Sequence, residues 1–83
     1  ALYPPAPLLS LSVDGNTAIL NWSSVTDTES YRVYENGDFT QELIATTFEK
    51  VIETGVNTCF EVTSVNFYST ESARSNEECG QGL

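Results

Sequence analysis

The sequence of 83 residues predicts an all-β domain, a sandwich of seven antiparallel strands. Three observations lead to this fold class. Apolar and polar residues alternate with a period of two in several short runs. Clusters of Gly, Asn and Asp separate these runs, and no apolar stripe has the period of an amphipathic helix. Short strands divided by frequent turns are typical of a β-sandwich.

The alternation is clearest in the second run, where Ala18, Leu20 and Trp22 fall on one side of the chain. The turns 14–16 and 36–38 contain residues that tolerate positive φ, and each separates two runs rich in β-branched or aromatic residues. With the turns as boundaries, the predicted strands are 8–13, 17–23, 31–35, 39–44, 46–48, 58–66 and 72–79.

The same alternation predicts which side chains fill the interior. Trp22 shares its side with Ala18 and Leu20, so we expect its indole ring to lie in the core rather than to stack on a sugar. Tyr31 and Phe60 occupy the equivalent side of their strands. The core is therefore expected to be a dry layer between two sheets.

Charge excludes two classes of partner. Three basic residues, Arg32, Lys50 and Arg74, stand against twelve acidic ones, which gives a net charge of −9 with no histidine. Phosphate backbones and anionic lipid surfaces attract clustered Lys and Arg, so we predict no nucleic-acid binding. No apolar run reaches the roughly 18 residues that span a bilayer, so no membrane insertion is expected either.

The two cysteines are predicted to form a disulfide. If the last two strands form a hairpin in which Asn66 faces Ser72, counting back along both strands places Cys59 opposite Cys79. A disulfide would imply an oxidising compartment. The alternatives are two free thiols in a cytosolic protein, or a metal site, for which two thiolates without histidine are too few ligands.

Catalytic chemistry is not predicted. The absence of histidine excludes Ser-His-Asp and Cys-His arrangements, and no Asp-x-Asp-x-Asp-Gly spacing indicates a calcium loop. The closest carboxylate pairs, Asp27 with Glu29 and Glu77 with Glu78, are expected to be solvated. We therefore expect no enzyme activity, no cofactor and no bound metal.

Three segments together resemble a fibronectin type III domain. They are Leu-Asn-Trp-Ser at 20–23, Tyr-Arg-Val-Tyr-Glu-Asn-Gly at 31–37 and Phe-Glu-Val-Thr-Ser-Val-Asn at 60–66, followed by Glu-Ser and Ser-Asn pairs. The resemblance is closest to short modules of secreted bacterial multidomain proteins and covers about residues 5–79. It implies a Greek-key, immunoglobulin-like sandwich without catalytic residues. One departure is Thr58, which stands where the family usually has a corner tyrosine.

Three aromatic residues are candidate contacts for a partner. Phe67 and Tyr68 lie at the tip of the last predicted hairpin, where no core is available to them, and Tyr34 lies on the outward face of the third strand. The alternative is that the loop packs on itself and that Tyr34 covers neighbouring strands. Asn21 matches the N-glycosylation acceptor Asn-x-Ser, which matters only in a eukaryotic secretory pathway.

The sequence predicts a domain at 8–79 between a Pro-rich linker at 1–7 and a Gly-containing linker at 80–83. Because position 1 is not methionine, we expect a piece of a longer polypeptide. An odd number of antiparallel strands places the two chain ends at opposite ends of the sandwich, so we expect a spacer of about 30 Å between neighbouring domains. The predicted disulfide favours an extracellular location, and the negative charge favours a monomer. The alternative function is a module that binds a carbohydrate or protein partner through Phe67, Tyr68 and Tyr34.

Overall fold

The computed structural model describes residues 4–83 and contains seven strands within that range. They are β1 (Leu9–Asp14), β2 (Thr17–Trp22), β3 (Thr28–Glu35), β4 (Asp38–Leu43), β5 (Thr47–Val51), β6 (Asn57–Asn66) and β7 (Glu78–Gln81). One sheet has the order β1-β2-β5 and the other the order β4-β3-β6-β7, with every pair antiparallel. This architecture confirms the predicted seven-stranded sandwich.

The connections cross between the two sheets. β1 and β2 form a hairpin in the first sheet, β3 and β4 form one in the second, β5 returns to β2, and β6 returns to β3. The β3–β4 turn has positive φ at Asn36 (52°) and Gly37 (88°), which matches the twist of the flanking strands. The described part of the chain contains no helical segment with the length and apolar character needed to cross a bilayer.

The core lies between the sheets and confirms the predicted inward sides of β2, β3 and β6. Trp22, Tyr31 and Phe60 are all buried, and the Trp22 and Tyr31 rings meet edge to face with their centroids 5.7 Å apart. Burial of this apolar layer supplies the main favourable contribution to folding. The buried cluster comprises Leu9, Ala18, Leu20, Trp22, Tyr31, Val33, Ile52, Phe60 and Val62.

Two strands extend three residues beyond their predicted bounds. β3 begins at Thr28, three residues before the predicted start, and β5 continues to Val51, three residues after the predicted end. In β5, Lys50 lies on the same side of the strand as Phe48. Its ammonium nitrogen contacts a Glu35 carboxylate oxygen at 2.5 Å, which allows the long side chain to lie half-buried.

The seventh strand differs most from the prediction of 72–79. Its regular part begins only at Glu78, because residues 72–77 bind β6 through serine side chains. The hydroxyl oxygens of Ser72 and Ser75 accept hydrogen bonds from the backbone N–H groups of Ser64 and Val62, both at 2.9 Å. These hydroxyls replace carbonyl groups of a regular ladder and satisfy donors that are buried.

The register of this hairpin therefore changes along its length. Near the tip, Val65 pairs with Glu71, so the prediction that Asn66 faces Ser72 is wrong. The irregular segment 72–77 takes up two extra residues, and further along β6 the predicted pair Cys59 and Cys79 does lie directly opposite.

The segment expected to be a C-terminal linker packs against the sandwich. β7 extends to Gln81, and the N–H of Leu83 donates to the Gly15 carbonyl oxygen at 3.0 Å. A Cβ on Gly82 would lie 2.6 Å from Asn16 Nδ2 and 2.9 Å from the Glu53 carbonyl oxygen. Glycine is thus needed here for a close backbone approach, not for the flexibility that the sequence suggested.

At the other end, residues 1–3 of the expected Pro-rich linker lie outside the described residues. Within the remainder, Pro7 is buried, and the Ser64 hydroxyl donates to the Pro5 carbonyl oxygen at 2.9 Å. The chain therefore reaches β1 along the end of β6 where the β6–β7 loop begins.

Candidate interaction site at one end of the sandwich

The two predicted contact residues of the last hairpin are exposed. Phe67 has 64% and Tyr68 has 89% of its surface accessible, and both follow directly after the last residue of β6. The loop does not fold back to bury them. That Phe67 and Tyr68 contact a partner stays a prediction.

The backbone that carries these two side chains is held by Asn66. Its Oδ1 atom accepts hydrogen bonds from the N–H groups of Tyr68 at 3.0 Å and Thr70 at 2.9 Å. Its own backbone groups bond to Ser69 and Thr70, and Ser69 has a φ of 62°. Such side-chain bonds to the backbone fix a tight turn and determine where its tip points.

Phe67 and Tyr68 form part of a groove at this end of the domain, which we call the end groove. It has a volume of about 510 Å³. Across it lies the β2–β3 loop, where Asp27 has a φ of 60°, a conformation that Asp tolerates better than most residues. The residues that line the end groove are Pro4, Pro5, Thr26, Asp27, Asn66, Phe67 and Tyr68.

Tyr34, the third predicted contact residue, lies elsewhere. It faces Glu61 of β6, five residues before the end of that strand, which is roughly 16 Å away along the strand. Its ring meets Phe39 edge to face at 6.0 Å, and the Arg74 guanidinium lies 4.0 Å from the ring centroid. Tyr34 therefore packs against its own neighbours, and the structure does not bring it together with Phe67 and Tyr68.

Glu71 is the centre of a polar network that sequence reasoning missed. Its carboxylate accepts hydrogen bonds from the hydroxyls of Tyr34 and Thr63, the latter at 2.6 Å, and from Arg32 at 3.2 Å. No local pattern indicates this network, because it joins β3, β6 and the loop after β6, and only the sheet order makes these segments neighbours.

The network shifts two pKa values in opposite directions. Burial by itself raises the pKa of Glu71, but hydrogen bonds from Thr63 and Tyr34 and the charge of Arg32 outweigh it and lower that pKa below 4.5. Burial, followed by the hydrogen bond and the negative charge of Glu71, raises the pKa of Tyr34 above 10.0. The folded state therefore favours an ionised Glu71 next to a neutral Tyr34.

This arrangement predicts a pH-dependent contribution to stability. A carboxyl group whose pKa is lowered by folding stabilises the protein above its unfolded pKa, and the contribution disappears as the pH falls through the folded value. We expect Glu71→Gln to lower the free energy of unfolding by about 1 kcal/mol at neutral pH, because the hydrogen bonds lose their charge. The difference from the wild type should shrink once the pH falls below 4.5. Urea unfolding at several pH values measures this difference in the free energy of unfolding.

Glu29→Gln is the matched control, since it removes one negative charge from an exposed residue of β3. It should leave the free energy of unfolding within about 0.5 kcal/mol of the wild type at each pH. A Glu71→Gln variant with the same pH profile as the wild type would contradict the role of the network.

Cys59 and Cys79 form the predicted disulfide, with Cα atoms 4.0 Å apart. It joins β6 to β7, the edge strand of the four-stranded sheet. Among residues 4–83, one group of three potential metal ligands is found, consisting of both cysteines and Glu77. Because the two sulfur atoms are bonded to each other, neither is available as a thiolate ligand.

The sequence of the chain is similar to part of a known protein. No protein-family model matches the chain. A Kelch domain-containing protein of Sulfurisphaera tokodaii is 34% identical over 67 residues, which are 81% of this chain and 9% of that protein. The chain thus spans a small part of the curated relative that it matches.

Solved structures superpose on nearly the whole chain. An Fn3-like protein from Clostridium thermocellum has a TM-score of 0.74 and 25% identity, and the match covers 98% of this chain and 92% of that one. The central fibronectin-III array of RIM-binding protein has a TM-score of 0.78 and 22% identity, with 93% and 32% covered. The chain has a fibronectin type III-like fold. This result confirms the family resemblance seen in the sequence.

The same fold occurs within a longer bacterial enzyme. The spore cortex lytic enzyme SleM of Clostridium perfringens matches with a TM-score of 0.79 and 20% identity, over 94% of this chain and 28% of that one. Fibronectin type III-like modules are therefore found as parts of larger chains.

In this fibronectin type III-like domain, Thr58 is buried near the start of β6, at the position where the family usually has its corner tyrosine. In this domain Tyr31 fixes a loop instead, the β2–β3 loop. The Tyr31 hydroxyl accepts a hydrogen bond from the Val25 N–H at 2.9 Å and so ties the β2–β3 loop to the core.

The remaining surface of the fibronectin type III-like domain is acidic. The three basic side chains all contact acidic ones: Arg32 with Glu42 and Glu71, Lys50 with Glu35, and Arg74 with Glu61. Clustered basic residues, which a phosphate backbone needs, are thus not found on the described surface. Asn21 is exposed on β2, and its glycosylation stays a prediction.

Proposed function

We propose that this domain is a non-catalytic spacer module of a larger extracellular polypeptide, which holds the domains before and after it apart. The observation that supports the proposal is the position of the two chain ends. Pro5 lies beside Ser64 near the end of β6, whereas Leu83 lies beside Gly15 at the opposite end of the sandwich. The neighbouring domain before this module and the one after it would therefore be attached at opposite ends of the sandwich.

The dimensions favour this role. β6 runs from the Gln81 end to the end groove over ten residues, which corresponds to roughly 30 Å. The longest dimension of the domain is 41 Å, about twice the other two of 19 and 17 Å. Packing of both ends against the sandwich, through Pro5 and Leu83, keeps this separation constant.

Chemistry supports the other parts of the proposal. A disulfide persists in oxidising compartments, which favours a secreted or cell-surface location. A net charge of −9 keeps the module soluble and opposes self-association, so we propose that it is monomeric. Its partners are then the neighbouring domains of the same polypeptide, as in the longer chains that contain this fold.

A distance measurement between the chain ends tests the spacer function. Spin-labelled noncanonical residues introduced at the exposed positions Ala6 and Leu83 should give a narrow distance distribution in pulsed EPR, centred at roughly 30 to 40 Å. A Gly/Ser chain of the same length is the control and should give a broad distribution, because it behaves as a flexible coil.

Two results would contradict the proposal. A separation below roughly 20 Å would place both ends on one side of the domain, and a distribution as broad as that of the Gly/Ser chain would show that the ends are not held.

A further inference from the structure

We propose that the end groove binds a segment of an uncharged polysaccharide. The inference goes beyond the spacer role and does not depend on it, since the groove occupies one pole of the domain. It is based on the aromatic rings, the polar side chains and the charge of the groove.

The aromatic rings provide the apolar part of the site. Phe67 and Tyr68 line the same groove, and both rings are mostly exposed to water. The faces of a pyranose ring carry C–H groups that pack against aromatic rings, and such rings contribute much of the affinity of binding sites. Exposed aromatic side chains on a rigid tip are therefore suited to a sugar.

Among residues 4–83, several polar groups that line the groove make no hydrogen bond to the protein. Within residues 4–83, no hydrogen bond engages the side-chain oxygens of Thr26 and Asp27, the Tyr68 hydroxyl or the Asn66 Nδ2, whereas Asn66 Oδ1 is occupied by the loop backbone. A carboxylate accepts, an amide nitrogen donates and hydroxyls do both. This mixture complements the hydroxyl groups of a sugar, which also donate and accept.

Charge selects the class of polysaccharide. Asp27 is the one charged residue among those that line the described groove, and the whole chain carries −9. Uronic acids, sulfated sugars and phosphates would be repelled, because the lining residues within 4–83 include no basic side chain to pair with them. An uncharged chain meets no such repulsion.

The geometry also favours a sugar over an extended peptide. The walls are two loops and the segment Pro4–Pro5, so the groove offers no free strand edge for a peptide to pair with, and the prolines lack N–H donors. Its volume of about 510 Å³ lies within the range of about 300 to 1,000 Å³ that is usual for ligand sites.

The groove is formed before any ligand binds. Asn66 fixes the loop that carries the rings, and the Ser64 hydroxyl fixes the carbonyl group of Pro5. Backbone conformations with positive φ occur in both loops, at Asp27 and Ser69. A preformed site reduces the entropy that binding loses.

Titration of the labelled domain with polysaccharides tests the proposal. Barley β-glucan, galactomannan, xylan and starch serve as uncharged probes, polygalacturonate as the charged one, and ¹⁵N NMR shifts as the readout. We expect saturable shifts at residues of the end groove with at least one uncharged probe and none with polygalacturonate. The affinity should not fall when NaCl is raised, since the interaction is not ionic.

Variants locate the site. Phe67→Ser combined with Tyr68→Ser should weaken binding at least about tenfold. Val51→Ser is the matched control, because it also removes an exposed apolar side chain, from β5 at the other end of the sandwich, and should leave the affinity unchanged. Because the replaced side chains are exposed, thermal midpoints should stay within about 4 °C of the wild type.

Three results would overturn the proposal: no saturable shift with any uncharged probe, shifts that the double variant leaves unchanged, or binding only to polygalacturonate or to a proline-rich peptide. None of them affects the end-to-end distance measured by EPR, so failure of the polysaccharide site and failure of the spacer function are distinguishable.

Discussion

Phe60→Ala is expected to lower the free energy of unfolding by about 3 to 5 kcal/mol, the largest effect of any single substitution considered for this domain. Phe60 is completely buried at the centre of the core, so its removal leaves a cavity that the surrounding β-sheets cannot fill. A chain of 83 residues has a total stability of only about 4 to 12 kcal/mol. The variant should therefore be marginally folded.

Urea unfolding followed by tryptophan fluorescence measures this effect. Trp22 is the only tryptophan and is 6% exposed in the folded state, so its emission reports global unfolding. Phe67→Ala is the control, since the same chemical change at a residue that is 64% exposed should alter the free energy by less than about 0.5 kcal/mol. Similar losses for both variants would show that the two-layer core is wrongly assigned.

Loss of the disulfide is expected to have the second largest effect. Its cysteines are separated by 20 residues, and the chain-entropy estimate for a loop of this size is about 3 kcal/mol. For a domain of this length, that corresponds to a decrease of roughly 12 to 24 °C in the thermal midpoint. The effect is large because the cross-link restricts the unfolded chain, whereas the folded state already holds the two cysteines opposite each other.

Differential scanning calorimetry with and without reductant tests this expectation. The double variant Cys59→Ser and Cys79→Ser should resemble the reduced wild type, and reductant should not change its thermal midpoint. An oxidised wild type that melts at the same temperature as the reduced protein would rule out a stabilising role for the disulfide.

Local pattern was sufficient to predict most of the fold. Period-two alternation identified the strands around Trp22 and Phe60, because side chains alternate between the two faces of any strand irrespective of its partners. Turn residues such as Asn36 and Gly37 marked the hairpins, because the ability to adopt a positive φ depends on the residue type and not on its tertiary contacts.

The prediction of the last hairpin shows where pattern becomes insufficient. A uniform register correctly paired Cys59 with Cys79 but misplaced the tip, since serine hydroxyls replace ladder bonds between 72 and 77. Serine occurs in strands and loops alike, so its role here depends on the donors that β6 presents to it.

The candidate site was predicted in part. Phe67 and Tyr68 were identified because a hairpin tip has no interior to receive them, and both are exposed. From the sequence, Asp27 is predicted only as a solvated member of a carboxylate pair, and its place across the groove follows from packing of the two loops. Tyr34 was identified as an outward residue, but its packing against Arg74 and Phe39 depends on neighbouring segments.

The sequence by itself therefore determined most of the strands, the inward side chains of β2, β3 and β6 and the acidic character, because each depends on residue type and on spacing along the chain. The pairing of Cys59 with Cys79 also required the irregular segment 72–77, which takes up two residues between the tip and β7. Only the tertiary structure decided that Glu71 contacts β3, that Gly82 packs on Glu53, and that two loops enclose the end groove. These contacts join residues distant in sequence, and their formation depends on the order of strands in the two sheets, which no local pattern encodes.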